Sequence, residues 1–516
     1  MLRAPSIART EAAGARRETS RDGLDRWGAW LLLLLAGATR LPLAGLSLGE
    51  SDCGRYLVGM LQWLRHGPDS HFVYGKIFSP GYYAAAVWAV RHSGISAQSL
   101  LVGVSVVAAV LTAPLLYWIG RRFCGPKAAM AGAVLFLLAP GVWWLGLEAH
   151  PAALALLLLL AAMGLWLRAE EAGTRSWRWL VGAVICLTLA LLAKVDFILL
   201  GAIFAALAMR TPKQGRWRRV LEGGAIPIAA LIVFFVLRPV LAGMSGAAAG
   251  AQTRSAVGAF LTLPHGTEAM KQLIPVISYG LGTLALLCVA AVVGFGGRSG
   301  AMRAWRARWG WCLAAWVLPS AVVWMSIHGD NARHLAPLLL LPLWAAADAL
   351  ESRRVSGRVL AVGFVLVLAA NFWLIPPSSN LTLFPSGNVF ASARDLAARQ
   401  HEMDAWMKTT LADGSPVCFL GNYTLPFLEY ARMRPEAGAY LRLGPGGAEL
   451  DGTQWVEVDS SAGYPAAAAA CREAGGRTQS LEYTRTGLHE RFLGEEWRSL
   501  PLARHFYPGG TVKLER

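Results

Sequence analysis

Acidic, basic and aromatic residues gather in the segments that join the apolar runs of this 516-residue chain. The first such segment, 47–96, holds two carboxylates, two cations and two tyrosines of interest: Glu50, Asp52, Arg55, Lys76, Tyr56 and Tyr82. Later segments add ionisable residues near the ends of other apolar runs: Glu148, His150, Lys194, Asp196, His265, His328, Arg333 and His334.

These residue types suit one kind of reaction. A carboxylate such as Asp52 can act as a general base on an acceptor hydroxyl or amine. Lysine and arginine can bind a phosphate leaving group and stabilise its developing charge, and apolar helices can hold a lipid tail. The set therefore predicts transfer of a group from a lipid phosphate to an acceptor.

Each candidate also has a simpler interpretation. Charged residues at helix ends commonly anchor a helix at the membrane surface, and the histidines and arginine of segment 328–334 could bind lipid headgroups nonspecifically. His150 could cap a helix, and Lys194 could form an ion pair with Asp196. Glu148 and His150 stand out because a turn between two helices does not require two titratable groups.

The composition indicates a membrane protein. Hydrophobic residues make up 55% of the chain and charged residues only 16%, whereas soluble domains average about 25% charged residues. The 21 tryptophans suit the membrane–water interface, where an indole ring meets both phases. The net charge of +16 comes largely from arginines between apolar runs. Because no nucleic-acid-binding motif accompanies them, we attribute that charge to orientation in the bilayer rather than to nucleic acid.

About eleven apolar runs approach the length of about 20 residues that a helix needs to cross the hydrocarbon core. These runs are 27–46, 98–119, 128–146, 150–167, 178–193, 195–209, 222–242, 274–295, 309–327, 334–350 and 358–376. The stretch 178–209 is divided at Lys194–Asp196, because two ionisable residues in the middle of the bilayer would be costly. The helix interiors otherwise look almost free of charge.

The distribution of basic residues predicts the orientation. With a cytoplasmic N-terminus, the segments rich in arginine and lysine fall on the cytoplasmic side, in line with the positive-inside rule. Residues 1–26 are polar, rich in arginine and followed by no cleavage site, so we interpret them as a disordered cytoplasmic tail. An odd number of spans from 27 to 376 then places residues 377–516 outside the cytoplasm.

The extracytoplasmic parts are the first loop and the C-terminal tail. Loop 47–96 contains two amphipathic stretches, 53–66 and 80–92, which read as helices on the membrane surface. In the tail, Val417–Gly421, Trp455–Val458 and Ser480–Tyr483 look like strands, while 391–411 and 465–474 look helical. We therefore predict a small α/β domain there, in which Cys418 and Cys471 either form a disulfide or remain free thiols.

Five short motifs occur in an order that resembles the GT-C glycosyltransferases, in particular the lipid A aminoarabinose transferase and protein O-mannosyltransferase branch. The first two are Asp52-Cys53-Gly54-Arg55-Tyr56 and Lys76-Ile77-Phe78-Ser79-Pro80-Gly81-Tyr82-Tyr83. The others are Glu148-Ala149-His150-Pro151, Leu192-Ala193-Lys194-Val195-Asp196 and Arg333-His334-Leu335-Ala336-Pro337. The resemblance covers nearly all of the apolar region.

The resemblance implies inverting transfer of a sugar from a polyprenyl-phosphate-linked donor to a lipid, glycan or protein acceptor. The enrichment in Ala, Gly and Arg separately suggests a GC-rich bacterium, so we expect a bacterial cell membrane. By this resemblance Asp52 is the general base, with Glu50 as a second catalytic candidate. The donor-phosphate contacts are Arg55, Lys76, Lys194 and Arg333. The residues lining the site are Tyr56, Tyr82, Glu148, His150, Asp196, His265, His328 and His334.

Two positions depart from the family pattern. Cys53 follows Asp52 where an acidic residue is usual, and His150 stands where an aspartate is common. The cofactor therefore stays open. A divalent metal would have Glu148 and His150 as candidate ligands, and since histidine ligates transition metals while Mg²⁺ prefers oxygen, its identity is open too.

The sequence thus predicts an all-α polytopic membrane protein of the GT-C type, with about eleven transmembrane helices and a small C-terminal α/β extracytoplasmic domain. A transporter or flippase of a lipid-linked substrate is the alternative, and it would place ionisable residues or broken helices near the middle of the membrane. A non-catalytic assembly subunit with the same fold is a third possibility, which predicts that Asp52→Asn leaves function intact.

Overall fold

A computed structural model describes the helical region and the strands of the C-terminal region. The described residues are 27–44, 56–57, 59–60, 63–64, 78–171, 176–209, 216–243, 300–326, 336–352, 362, 417–421, 442–443, 454–457, 477–484 and 511–515. The predicted spans 274–295 and 358–376, apart from residue 362, lie outside them, as do the predicted tail 1–26 and the loop 243–273 beyond its first residue.

Eleven α-helices follow one another in the described part of the chain, besides short helical pieces at 56–57, 59–60, 63–64 and 362. They are α1 (Trp27–Leu43, with a final 3-10 turn Leu41–Leu43), α2 (Pro80–Ser93), α3 (Ala97–Phe123), α4 (Pro126–Leu138), α5 (Pro140–Leu145), α6 (Ala152–Glu171), α7 (Ser176–Ala193), α8 (Ala202–Ala208), α9 (Arg216–Ala242), α10 (Gly300–Ser326) and α11 (Leu340–Ser352). Two 3-10 helices, Val195–Gly201 and Ala336–Leu339, precede α8 and α11.

Proline sets several helix boundaries. It occupies the first position of α2 and α4, where its missing N–H would have no helical partner anyway. The run 128–146 was predicted as one helix, but the structure divides it between α4 and α5 at Ala139. Pro140 explains this correction, because its ring excludes the α conformation at the preceding residue and removes a backbone donor.

Four of the described helices are long and apolar enough to cross a membrane: Ala97–Phe123, Ala152–Ala169, Ser176–Ala193 and Arg216–Ala242. Shorter apolar helices accompany them, including α1 and α4. The chain is therefore an integral membrane protein, and the count of eleven spans stays a prediction. The helix α7 ends at Ala193, and a 3-10 helix begins at Val195. The α-helix is therefore interrupted at Lys194, where the ionisable residues predicted an interruption.

The helices pack as a bundle in which both consecutive helices and helices distant in the chain lie side by side. α6 packs along α3 and α7, α9 lies against α7 and α8, and α11 lies against α4 and α10. Four tryptophans fill the interior with completely buried rings: Trp143, Trp166, Trp309 and Trp344. Such large side chains leave little free volume, which fixes the helices relative to one another.

One end of the bundle is strongly basic. The side chains at the end of α3 and α6 and at the start of α4, α7, α9 and α10 include Arg121, Arg122, Lys127, Arg168, Arg178, Arg216, Arg218, Arg219, Arg303, Arg306 and Arg308. Two carboxylates brace this end: the buried Asp348 accepts from Trp309 Nε1 at 2.7 Å and pairs with Arg308 at 3.0 Å. Glu351 accepts the backbone N–H of Ala128 in the first turn of α4 at 3.0 Å, where a negative charge is favourable.

The C-terminal region contains a five-stranded sheet in the order β2–β3–β1–β4–β5. Its strands are β1 (Val417–Gly421), β2 (Arg442–Leu443), β3 (Gln454–Glu457), β4 (Arg477–Thr484) and β5 (Thr511–Glu515). The first four are parallel and β5 is antiparallel to β4. β1 has the predicted bounds, and β3 and β4 overlap the other two segments predicted as strands. The predicted helices 391–411 and 465–474, and Cys471, lie outside the described residues, so the α/β domain as a unit and the disulfide stay predictions.

Candidate functional site

The start of α2 is fastened to the end of α7. The backbone N–H of Val195 donates to the carbonyl of Phe78 at 3.0 Å, so the break after α7 is joined to the residue two positions before α2. Gly81 lies so close to α7 that a Cβ there would be 2.7 Å from Leu192 Cβ and 3.3 Å from the Leu192 carbonyl oxygen. Two motifs more than a hundred residues apart in sequence therefore meet.

Four buried aromatic residues form a cluster at the start of α2, in which Tyr56 and Trp63 pack against Tyr82 and Tyr83 of the helix. Tyr56 stacks on Tyr83 with ring centroids 5.6 Å apart and meets Tyr82 edge-on at 6.0 Å. Trp63 stacks on the same Tyr83 at 5.8 Å. The hydroxyls of Tyr56 and Ser79 are hydrogen-bonded at 3.0 Å. The first-loop motif around Tyr56 is therefore held against the second motif at Ser79.

The turn between α5 and α6 contacts this aromatic cluster through His150. The imidazole of His150 meets the Tyr56 ring edge-on at 5.0 Å. Its backbone carbonyl accepts from Ser105 Oγ of α3 at 2.9 Å, and the turn is completely inside the protein, with Glu148 and His150 both buried. The structure thus brings the predicted residues Tyr56, Tyr82, Glu148 and His150 to one end of the bundle.

The geometry of His150 also supports its simpler interpretation. Its Nδ1 accepts the backbone N–H of Ala152, the first residue of α6, at 3.1 Å. A backbone N–H can only donate, so Nδ1 carries no proton in this arrangement and a neutral ring has its proton on Nε2. The histidine therefore caps α6 through Nδ1, and this hydrogen bond does not involve its other nitrogen, Nε2.

Lys194 and Asp196 form the ion pair that the sequence allowed. Lys194 Nζ lies 3.3 Å from Asp196 Oδ2, and the lysine side chain is 9% exposed whereas that of Asp196 is 42% exposed. The lysine is thus a nearly buried cation with one partner that faces solvent.

Eight predicted site residues lie outside the described part of the chain: Glu50, Asp52, Arg55, Lys76, His265, His328, Arg333 and His334. Among the described residues, no group of three His, Cys, Asp or Glu side chains could hold a metal ion. Of the two candidate ligands, His150 already uses Nδ1 for Ala152. Within the described part of the chain, metal binding would therefore depend on Glu148 and on Nε2 of His150.

The sequence interpretation missed buried polar residues. Ser79 and Ser105 make the hydrogen bonds that join the motifs, and isolated serines give no sequence signal.

The expectation that helix interiors are almost free of charge needs correction, because Arg40, Arg238 and Asp348 are buried in described helices. An arginine inside an apolar run marks a functional candidate, and this signal was readable at Arg40 and Arg238. Arg238 belongs to α9, which packs against α2 and the 3-10 helix that begins at Val195.

Comparisons with known proteins give one family match and several similar folds. Residues 80–242 match the family model of dolichyl-phosphate-mannose-protein mannosyltransferase. The fold is similar to that of the Archaeoglobus fulgidus oligosaccharyltransferase in complex with Zn and sulfate, with a TM-score of 0.50 and 12% identity over 88% of this chain and 68% of that one. The resemblance to the GT-C membrane glycosyltransferases is confirmed.

Two further solved structures are more distant in shape. ArnT from Cupriavidus metallidurans bound to undecaprenyl phosphate gives a TM-score of 0.47 at 15% identity, covering 89% of this chain and 92% of that one. The archaeal oligosaccharyltransferase AglB from Archaeoglobus fulgidus, in complex with an inhibitory peptide and a dolichol-phosphate, gives 0.47 at 13% identity, covering 78% and 63%. A comparison with curated protein sequences finds no match. The family-matched segment contains Tyr82, Glu148, His150, Lys194 and Asp196.

Proposed function

We propose that this chain is a membrane glycosyltransferase that moves a sugar from a polyprenyl-phosphate-linked donor to an acceptor lipid, glycan or protein. The observation that carries the proposal is the meeting of three distant segments: the start of α2, the turn with Glu148 and His150, and the break at Lys194. The family model that matches residues 80–242 describes enzymes using dolichyl-phosphate-mannose, a sugar on a polyprenyl phosphate.

The proposed reaction is a single inverting displacement at the anomeric carbon of the sugar. Asp52 takes the proton from the acceptor hydroxyl or amine as that atom forms its bond to the sugar. The bond from the sugar to the phosphate oxygen breaks, and the polyprenyl phosphate leaves with the negative charge. That charge is stabilised by the proposed phosphate contacts Lys194, Arg55, Lys76 and Arg333. No step of the proposed reaction takes place on a metal ion.

The aromatic cluster and the lysine fit this chemistry in different ways. Buried tyrosine and tryptophan rings with one polar end can pack against a sugar or an isoprenoid and keep water away from the reacting centre. Lys194 is buried and pairs with a partly exposed carboxylate, so a phosphate can take the place of Asp196. Both groups lie at the end of the bundle opposite the basic helix ends. We therefore propose, from the positive-inside rule, that this end faces away from the cytoplasm.

The test is transfer of radiolabelled sugar from a panel of polyprenyl-phosphate donors, in membranes that contain the full chain. Transfer by the wild-type protein above that of membranes without it is the expected result. Absence of transfer across the donor and acceptor panel at normal expression would contradict the proposal. Uptake or flipping of the labelled lipid without transfer would then favour the transporter alternative.

The variant Lys194→Gln tests whether Lys194 contributes to binding of the donor phosphate more than to the chemical step. Losing one charge-assisted contact to phosphate should raise the KM for the donor about tenfold, with a smaller effect on kcat. Steady-state kinetics at varied donor concentration measure both constants. Lys127→Gln is the matched control, because Lys127 is an exposed lysine at the basic end of the bundle. An unchanged donor KM in Lys194→Gln would remove Lys194 from the phosphate site.

A further inference from the structure

Two arginine side chains from different helices lie over the indole ring of Trp118, near the basic end of the bundle. The Cζ of Arg122, one turn further along α3, is 4.9 Å from the ring centroid, and the Cζ of Arg168 of α6 is 5.0 Å from it. Both distances are within the range of a cation–π contact, and the two Cζ atoms are therefore at most about 10 Å apart. The proposed sugar transfer gives these three residues no role.

The packing of α3 on α6 fixes this arrangement. A Cβ at Gly164 would lie 3.0 Å from Trp118 Cζ3, so the indole rests on α6 at a residue without a side chain. Gly164 precedes Arg168 by four residues, as Trp118 precedes Arg122. Four residues make about one helical turn, so the two arginines occupy matching positions on neighbouring helices. Both arginines are exposed, whereas Trp118 is half-buried.

One face of α3 joins this pair of arginines to an exposed apolar surface. The face carries Val107, Leu111, Trp118 and Arg122, of which Val107 and Leu111 are 58% and 45% exposed. At about 100° per residue, all four side chains lie within about 60° of one another around the helix axis. Val107 and Trp118 are about 17 Å apart along that axis, close to half of the hydrocarbon core of about 30 Å. The face therefore matches one leaflet, with the arginines at the level of the headgroups.

Exposed tryptophans place the same level at the membrane surface. Trp177 at the start of α7 is 59% exposed, and Trp217 at the start of α9 is 70% exposed. Exposed indole rings at the ends of transmembrane helices are typical of the membrane–water interface. Both helices begin at the basic end, so a phosphate next to Arg122 and Arg168 would lie at the depth of the lipid headgroups.

We propose that Trp118, Arg122 and Arg168 form a binding site for the phosphate of an anionic phospholipid, whose acyl chain lies along Val107 and Leu111. The phosphate accepts hydrogen bonds from both guanidinium groups and offsets the repulsion between them. A choline headgroup is less favourable, because it brings a positive charge next to two arginines. The site is at the opposite end of the bundle from the proposed sugar transfer, and the inference does not depend on that function.

Lipid binding to the full-length protein in detergent tests this proposal. Native mass spectrometry at varied lipid concentration measures the Kd for phosphatidylglycerol and for phosphatidylcholine. We expect phosphatidylglycerol to bind at least about tenfold more tightly. In Arg122→Gln/Arg168→Gln the Kd for phosphatidylglycerol should rise about tenfold or more, because both charged contacts with the phosphate are lost. Both substitutions replace exposed side chains, so we expect the fold to be kept.

Arg218→Gln/Arg219→Gln is the matched control, because it removes two arginines of the same basic end from α9, where Arg218 pairs with Glu222 at 2.9 Å. Its Kd for phosphatidylglycerol should stay within about twofold of the wild type. Trp118→Leu keeps both arginines but removes the ring beneath them, and should raise the Kd about threefold. Equal losses in the two double variants would attribute binding to overall charge and overturn the site. Equal affinity of the wild type for phosphatidylcholine, or for inorganic phosphate alone, would also overturn it.

Discussion

Asp52→Asn should lower the rate of sugar transfer about 1,000-fold, within the range attributed to a positioned general base. The amide has nearly the same shape as the carboxylate but cannot take the proton from the acceptor. Because the variant keeps the proposed phosphate contacts, we expect the KM for the donor to stay close to that of the wild type. Transfer of radiolabelled sugar at matched expression, with varied donor concentration, measures both constants.

The position of Tyr56 supports this choice of base. Tyr56 lies in the aromatic cluster and touches the ring of His150, and Asp52 precedes it by four residues. Four residues of chain span at most about 14 Å, a length that is compatible with the proposed role of Asp52 at this site. Glu148 and Lys194 belong to the two other segments that meet this end of the bundle.

Asp69→Asn is the matched control for Asp52→Asn, because Asp69 is another aspartate of the segment 47–96 and has no assigned role. It should transfer sugar at the wild-type rate. Transfer by Asp52→Asn within about twofold of the wild type would move the base to another carboxylate. Glu50→Gln and Glu148→Gln would then be compared in the same assay, and full activity in all three variants would favour a different mechanism.

The sequence predicted the parts of the fold that depend on local chemistry. The break at Lys194 followed from the cost of ionisable residues in the bilayer, and the structure ends α7 at Ala193. The strands around Cys418, Trp455 and Leu481 followed from β-branched and aromatic residues between turn-forming segments. The helix break at Ala139 also has a local cause, because Pro140 follows it. The sequence interpretation missed this break because the residues on both sides of it are apolar.

Packing between helices could not be predicted in the same way. A helix such as α4 is apolar on all sides beyond its first turn, so it shows no stripe that identifies the buried face. Contacts such as Gly81 with Leu192 or Gly146 with Arg40 join positions that no local pattern connects. The hydrogen bond between Tyr56 and Ser79 depends on the same packing. The candidate residues were therefore readable from the sequence, whereas the contacts that hold them together required the structure.

Gly81→Ala should lower kcat/KM about 100-fold, because the close contact between α2 and α7 leaves no room for a methyl group. The added Cβ would lie 2.7 Å from Leu192 Cβ, a distance that forces one helix to move. The same helix end carries the backbone hydrogen bond from Val195 to Phe78, so its displacement moves Ser79, Tyr82 and Lys194 relative to one another. A misplacement of about 1 Å between groups that act together can cost about 100-fold in rate.

The controls for Gly81→Ala separate a misplaced site from a general loss of stability. Gly103→Ala places the same methyl group in α3, where nothing lies within 4 Å, and should leave activity and Tm unchanged or slightly raised. In the double variant Gly81→Ala/Leu192→Gly the colliding Cβ is removed from the other side, so we expect activity to recover partly, limited by the Leu192 carbonyl oxygen at 3.3 Å. Wild-type kcat/KM in Gly81→Ala would show that the junction of α2 and α7 does not position the site. A loss that the second substitution leaves unchanged would instead trace the defect to the conformation of α2 itself.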